Sequence, residues 1–319
     1  MTNELDFALM IPEFILCAGA LAVLLVDAMT HSEDGEDPRS VTTWLSVGAT
    51  VAAAAWILLV LWGDGSPRTS FFHLFVVDSF ALFFKVIVLL GAGLSLLLSD
   101  AWLRNNRLPS GASHALVLFS TVGMMYMVSA GDMVMLFLGL EVMSIPIYCL
   151  AGSQWWDKRS TEAAVKYLVL GSFGTALFLF GLAMLYAFQG LEGAEPSTRL
   201  DLLRMTLTER EAALPLFATG GGFLLLAGLL FKISAAPLHM WTPDVYEGAP
   251  TPITAYMSVA VKATTAAVLI RLFGGGVLER LDLDTVLWAA AALTMVVGNV
   301  MALTQSNVKR MLAYSSIAH

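Results

Sequence analysis

The chain has 319 residues, 58% of them hydrophobic and only 13% charged, with a formal net charge of −8 at neutral pH. Soluble domains carry about 25% charged residues, and a globule this apolar would expose large hydrophobic patches to water, so an ordinary soluble domain is excluded. The negative balance and the lack of a basic tract argue against nucleic acid as a partner; the composition is that of a polytopic protein whose surroundings are the lipid bilayer.

The first seven residues carry Glu4 and Asp6 and no Lys or Arg. A signal peptide needs a basic leading region, so the first apolar run is read as a retained span. A spanning helix requires about 20 mostly apolar residues. Such runs lie at 8–29, 41–62, 76–99, 113–130, 132–152, 161–188, 214–236, 251–273 and 285–304, which predicts nine full spans. A tenth starts near Arg310 and the chain stops inside it at His319, as expected of a fragment. Only helices and closed barrels can span lipid, and no two-residue alternation suggests a barrel. The expected fold class is therefore all-α, a polytopic transmembrane helix bundle.

Between the spans, "HSEDGEDPRS" (31–40) is an acidic loop and 190–211 is the only long connection. The "LDLLRMTLTERE" part of that connection reads as an amphipathic surface helix. Loops after odd-numbered spans hold Arg39, Arg104, Arg107, Lys158, Arg159, Lys309 and Arg310. Short loops after even-numbered spans hold Arg68 and Arg280, with Arg271 near a helix end. The positive-inside rule then puts the N-terminus outside and the odd-numbered loops in the cytoplasm. Cys17 and Cys149 fall inside apolar runs and are expected to be buried, inert packing thiols. His31, His73 and His114 sit in or near loops and receive no functional reading. No C-x-x-C, H-E-x-x-H, phosphate loop or dinucleotide fingerprint occurs, so no redox cofactor, nucleotide or metal site is expected in the chain.

Four of the ionisable residues within the runs are weighed for function. At about 1.5 Å per residue, Glu141 is about 14 Å into its helix, Lys262 about 17 Å, Lys232 about 25 Å and Lys166 about 8 Å. Lys166 is shallow enough to snorkel or to pair with Glu162 one turn away. For Glu141 and Lys262 the choice is between a structural ion pair inside the bundle and titratable sites in a proton or ion path. Glu141, Ser144 and Tyr148 form one polar stripe on their helix, as do Ser258, Lys262 and Thr265 on theirs; such stripes also serve as ordinary packing contacts between membrane helices. Five residues beyond Lys232, Pro237 lacks a donor and crowds the preceding turn, so the seventh helix is expected to break between about Ser234 and His239. Irregular backbone at membrane depth is tolerated where it is buried in protein or lines a water-filled cavity, and transporters place binding sites at such breaks. His239, just past the break, is either a proton-relaying group, with an unperturbed pKa near 6.5, or a hydrogen-bonded residue at a helix end.

"FKISAAPLHMWTPDVYEGAPTPITAYMSVAVK" (231–262) resembles the seventh and eighth helices of the N-subunit family of bacterial NADH:quinone oxidoreductase, respiratory complex I. "GDMVMLFLGLEVMSIPIYCLAG" (131–152) resembles its fifth helix, "STEAAVKYLVLGSFGTAL" (160–177) its sixth, "GNVMALTQSNVKRMLAYSSIAH" (298–319) the junction of its ninth and tenth, and "IPEFIL" (11–16) its first. The resemblance covers essentially the whole chain. The L and M subunits and the Mrp-type antiporters share the broader pattern, but "WTPDVYEGAPTP" after the "PLH" turn favours the N type.

The resemblance implies a role for each buried charge. Glu141 matches a glutamate that tunes the protonation of a lysine partner, and Lys232 matches that partner at the broken seventh helix. Lys166 matches a lysine that bridges toward the channel, Lys262 one on the hydrated central axis, and His239 a histidine between the lysines. It also implies two inverted five-helix repeats, hence an N-terminal three-helix segment at 1–112, a first repeat at 113–273 and the start of a second at 274–319. The function implied is proton translocation coupled to quinone reduction elsewhere in the complex. NAD and quinone are then used by the whole assembly, the partners are its other membrane subunits, and the location is the bacterial inner membrane. The alternatives are a subunit of an Mrp-type cation/proton antiporter, a related hydrogenase membrane subunit, or a purely structural membrane subunit.

Overall fold

The computed structural model describes residues 5–30, 39–63, 66–106, 108, 110–191, 195–209 and 214–319, with only the backbone at 39 and 40. The acidic connection 31–38, Arg107 and residues 210–211 lie outside the described residues. The helices, in chain order, are α1 (Ile11–Thr30), α2 (Arg39–Trp56), α3 (Ser79–Asn106), α4 (Ser110–Val128), α5 (Met133–Ala151), α6 (Lys158–Leu191) and α7 (Leu200–Thr208). They continue with α8 (Leu216–Ile233), α9 (Thr242–Gly248), α10 (Thr251–Tyr256), α11 (Lys262–Phe273), α12 (Val277–Arg280), α13 (Asp284–Leu303) and α14 (Val308–Ala318). A 3₁₀ turn, Phe7–Met10, precedes α1, and π-turns at Ile57–Leu61 and Met257–Val261 extend α2 and join α10 to α11.

Among the described residues nine helical segments are long and apolar enough to cross a membrane, as the composition requires. The all-α bundle with a broken seventh span is what the structure contains. Span boundaries differ from the sequence reading by a few residues, most of all in the third span. The third span starts at Ser79 and not near residue 76 because Phe75–Val77 (β2) pairs antiparallel with Arg68–Ser70 (β1), and the Asp78 carboxylate then caps the helix by accepting from the Ala81 N–H at 2.7 Å. It also runs on to Asn106, through Asp100 and Arg104, which bond to each other one turn apart. The seventh span ends at Ile233 instead of 236, for reasons given below. The surface helix in the long connection is α7, which buries Leu203 and Leu207 and exposes its polar side. The cysteines need a correction: Cys17 is half-buried and Cys149 faces outward from α5, where lipid, not protein, supplies the apolar surroundings.

Helix α4 is the hub, with 78% of its spanning window buried, whereas α13 at the rim is only 17% buried. The tight seams use glycine, because van der Waals packing replaces the hydrophobic effect between helices in lipid. A Cβ on Gly123 of α4 would run into the backbone nitrogen of Met143 on α5, and one on Gly181 of α6 would lie 2.5 Å from the Leu225 nitrogen on α8. No side-chain rotation relieves a clash with backbone. Gly181→Val is therefore expected to cost at least about 1–3 kcal/mol, measured as a lower melting temperature in detergent; an unchanged melting temperature would mean that α6 and α8 separate freely.

Candidate functional site

The break in the seventh span is built from its own backbone outward. Pro237 has no N–H to offer the Ile233 carbonyl, and α8 stops at Ile233. Ser234 then turns left-handed, at φ 68°. The groups released by the break are met by protein. Trp241 Nε1 donates to the Phe231 carbonyl at 3.1 Å, the Ala236 N–H donates to Thr294 Oγ1 on α13 at 2.8 Å, and Thr242 Oγ1 donates to Ser234 Oγ at 2.6 Å. Helix α9 resumes with Pro243 in its first turn, a position where the missing donor costs nothing.

Lys232, the last-turn residue of α8, is 1% exposed. Its ammonium donates to Ser144 Oγ at 2.8 Å and to the Tyr148 hydroxyl at 3.4 Å. It also lies 5.4 Å from the centre of the Tyr148 ring and 5.6 Å from that of Tyr167, whose negative faces attract a cation. Tyr167 is stacked on Trp241 at 4.5 Å and 7°. Two members of the α5 stripe thus meet the lysine. The third, Glu141, makes no direct ion pair with it. Ser144, one turn along α5 from Glu141, is the residue that takes the ammonium instead. Its own hydroxyl donates back to the Leu140 carbonyl, leaving a lone pair for Lys232.

Lys166 belongs to a different set. It pairs with Glu162 at 2.6 Å, as its spacing predicted, and with Asp244 of α9 at 2.6 Å. Arg310 of α14 bridges Asp244 at 2.8 Å and Glu247 at 3.0 Å, while Lys309 donates to the Glu247 and Ala249 carbonyls. This ionic cluster lashes α6, α9 and α14 together around a cavity of about 220 Å³. Burial pushes the Asp244 carboxyl up, but the hydrogen bonds and charges of Lys166 and Arg310 outweigh it and hold the group below the ordinary carboxylate range. A depressed carboxylate contributes stability that is complete above its unfolded pKa of about 3.9 and is lost as pH falls through the folded value. The melting temperature is therefore expected to hold from neutrality down to about pH 4 and to drop below it, and Asp244→Asn should shrink that acid-dependent drop. An equal drop in the variant would assign it to other acids.

Lys262 opens α11 directly after the π-turn, a device often found at functional sites. Its amine donates to the Ser316 carbonyl of α14, and it lines a cavity of about 570 Å³ with Tyr246, Thr254, Ser258, Lys309 and Ser316. The expected stripe is only partly realised: Ser258 shares the cavity, but the Thr265 hydroxyl donates to the Val261 carbonyl of its own helix. His239 is half-buried, and its Nδ1 has no hydrogen-bond partner among the described residues. No direct contact joins Lys166, Lys232, His239 and Lys262 to one another.

Three residues at the site were not singled out from the sequence. Trp241 and Tyr167 form the stack above Lys232, and Asp244 holds Lys166. Asp244 was readable in principle, as the acid that follows the break within "WTPD". A fully buried pair, Glu13–Lys85 at 2.7 Å, was also passed over, although each is a charge set within an apolar run.

The family profile described as NADH:quinone oxidoreductase/Mrp antiporter, TM, matches residues 130–319, the stretch holding Glu141, Lys166, Lys232, His239 and Lys262. The chain belongs to the NADH:quinone oxidoreductase/Mrp antiporter membrane family. Within the family it is 43% identical to NADH-quinone oxidoreductase subunit N of Trichlorobacter lovleyi, across 99% of this chain and 63% of that protein. A chain of respiratory complex I from Thermus thermophilus shares its fold with a TM-score of 0.77 and 32% identity, over 97% of this chain and 62% of that one. A chain of the Mrp complex from Dietzia sp. DQ12-45-1b shares the fold alone, with a TM-score of 0.79 at 22% identity, over 97% of this chain and 33% of that one. The chain spans about three-fifths of the length of the curated relatives it matches. The resemblance read from the motifs is thus to the family that the profile and the relatives show, and the chain is a multi-pass membrane protein.

Proposed function

We propose that the chain is a proton-translocating membrane subunit of an NADH:quinone oxidoreductase, working with the other membrane subunits of that complex while NAD and quinone react elsewhere in it. The observation that carries the proposal is Lys232: an amine 1% exposed, at a break in a spanning helix, held by one hydroxyl, one phenol and two ring faces. A charge inside a membrane is costly and functional by default. Nothing in its contacts is a carboxylate, so its charge is left open to change as protons arrive or leave nearby. Lys166 and Lys262 flank it on neighbouring spans, and Glu141 supplies the one acid at comparable depth. Of three bases, one acid compensates at most one, so the others share water, shed a proton or lean on peripheral acids, as Lys166 does on Glu162 and Asp244. Protonating one lysine then disfavours charge on the next, which is the push a relay needs.

In this reading residues 113–273 form the working repeat, 1–112 a three-helix flank and 274–319 the start of the second repeat, with the N-terminus outside the cytoplasm of a bacterial inner membrane. The fold does not separate an oxidoreductase subunit from an antiporter subunit, since both neighbours match it; what supports the oxidoreductase reading is the 43% identity to a subunit N. The test is to purify the membrane complex that contains the chain and assay it in vesicles. The expected result is NADH oxidation with quinone reduction and inward acidification that does not require sodium. Sodium-dependent proton exchange without NADH would overturn the proposal in favour of an antiporter.

A further inference from the structure

Glu13 on α1 and Lys85 on α3 lie outside the row of lysines, and both side chains are 0% exposed. Glu13 is six residues past Phe7 and Lys85 six past Ser79, the starts of the first and third spans. Both are therefore about 9 Å from the same end of the bundle. Their closest atoms are 2.7 Å apart. Beyond that contact neither Glu13 oxygen nor Lys85 Nζ has a hydrogen-bond partner among the described residues; the ammonium instead lies 4.5 Å from the centre of the Phe75 ring.

An ammonium has three donors and a carboxylate about four acceptor positions. A buried pair recovers its desolvation cost only when those remaining positions are filled. The protein fills none of them here. One proton moved from Lys85 to Glu13 turns –NH₃⁺ and –COO⁻ into –NH₂ and –COOH, with no change in proton count and no charge left in the interior. The pair therefore has two forms with the same protons, and one proton taken up from the end of the bundle turns –COO⁻ beside –NH₃⁺ into –COOH beside –NH₃⁺, the form that holds it.

Two charged groups stand toward the nearer end of the bundle, within electrostatic reach of Lys85. Asp78, two turns before Lys85, accepts from Arg271 at 2.8 Å, and both are partly exposed. Arg271 borders a cavity of about 270 Å³ lined also by Thr69, His73, Asp201 and Arg204. The ionisable groups facing the pair are Cys17 of α1, Tyr126 of α4, Arg271 of α11 and Asp78. Helix α2 packs against α1 and α3 but offers no ionisable residue between Val41 and Leu61.

We propose that Glu13 and Lys85 form a proton-holding site, distinct from the lysine row, that exchanges protons with the end of the bundle marked by Asp78, Arg271 and the adjoining cavity. Its purpose rests on the proton-translocation reading; its chemistry does not. The test uses the intact membrane complex and follows the Glu13 carboxyl by infrared spectroscopy, as the difference between the native complex and Glu13→Gln. Between about pH 9 and about pH 5, the expected result is a carboxylate band replaced by a protonated-carboxyl band that shifts in deuterium oxide. A Glu13 carboxyl that stays in one form throughout overturns the proposal. A second variant separates proton holding from simple helix pinning. E13Q/K85M keeps the volume of the pair and removes both charges; once assembled, it should translocate protons at least about two-fold more slowly than the native complex. An assembled double variant with native translocation overturns the site even though the lysine row still works, whereas native translocation in a Lys232→Met complex would overturn the broader reading and leave the infrared result standing.

Discussion

Trp241→Ala is expected to destabilise the folded chain by about 3–5 kcal/mol, the range for truncating a large buried aromatic. Trp241 is 2% exposed and does three things at once. It stacks on Tyr167 at 4.5 Å and on Phe231 at 5.5 Å, and its Nε1–H donates to the Phe231 carbonyl near the break. Removing it leaves a void beside Tyr167, a member of the cage around Lys232, and takes from the Phe231 carbonyl one of its two donors, the Ser234 N–H at 3.1 Å remaining. Trp241→Phe keeps much of the stack and loses one of the two donors to that carbonyl, so it should cost about 0.5–1.5 kcal/mol. The measurement is the melting temperature in detergent together with the reactivity of Lys232 toward an amine-modifying reagent. Both should change in the order native, Phe, Ala. A native melting temperature in the Ala variant would mean that the stack contributes nothing to holding the break.

Lys232→Met is expected to lower NADH-driven proton translocation at least about ten-fold, about 1.4 kcal/mol of lost function, in a complex that assembles normally. Met matches the length of the lysine stem and suits an apolar cage of two tyrosine rings. Burying it removes the cost of an intramembrane charge, so the fold should be as stable as native or more so. That combination separates a working amine from a structural one, because a structural lysine lost from Ser144 and Tyr148 would show up as instability, not as lost transport. Quantifying the assembled complex before the vesicle assay reads both. Native translocation by the variant would make Lys232 a packing residue.

The spans were legible because lipid imposes a length and a composition on every helix that crosses it, and the expected and observed segments agree to within a few residues at most ends. The misses have local causes. Asp78 starts the third span by capping it, and the short β1–β2 pairing takes the three residues before it. The break was legible because proline chemistry is local, yet its partners were not: Trp241, Thr294 and Thr242 reach the freed groups only through tertiary packing. The stripe of Ser144 and Tyr148 was visible as helical spacing, and its meeting with Lys232 depends on α5 and α8 running the same way. Glu141 and Lys232 were expected to meet directly or through one water; the direct form is absent because Ser144, one turn from Glu141, takes the ammonium. The Glu13–Lys85 pair was passed over because only charges on the later spans were weighed for depth; comparing depths between spans that start at the same end would have matched them. Cys149 was misplaced because an apolar run has an outward face toward lipid as well as an inward one.

The central claim is that protons pass along a row of lysines, not through a single one. Its most direct test is the number of protons translocated per NADH oxidised in an assembled Lys262→Met complex with Lys232 intact. Lys262 touches none of the groups around Lys232; its amine meets only the Ser316 carbonyl and the adjoining cavity. The account predicts that this ratio falls below the native value in the same vesicles. A native ratio, with assembly and NADH oxidation both intact, would contradict the relay.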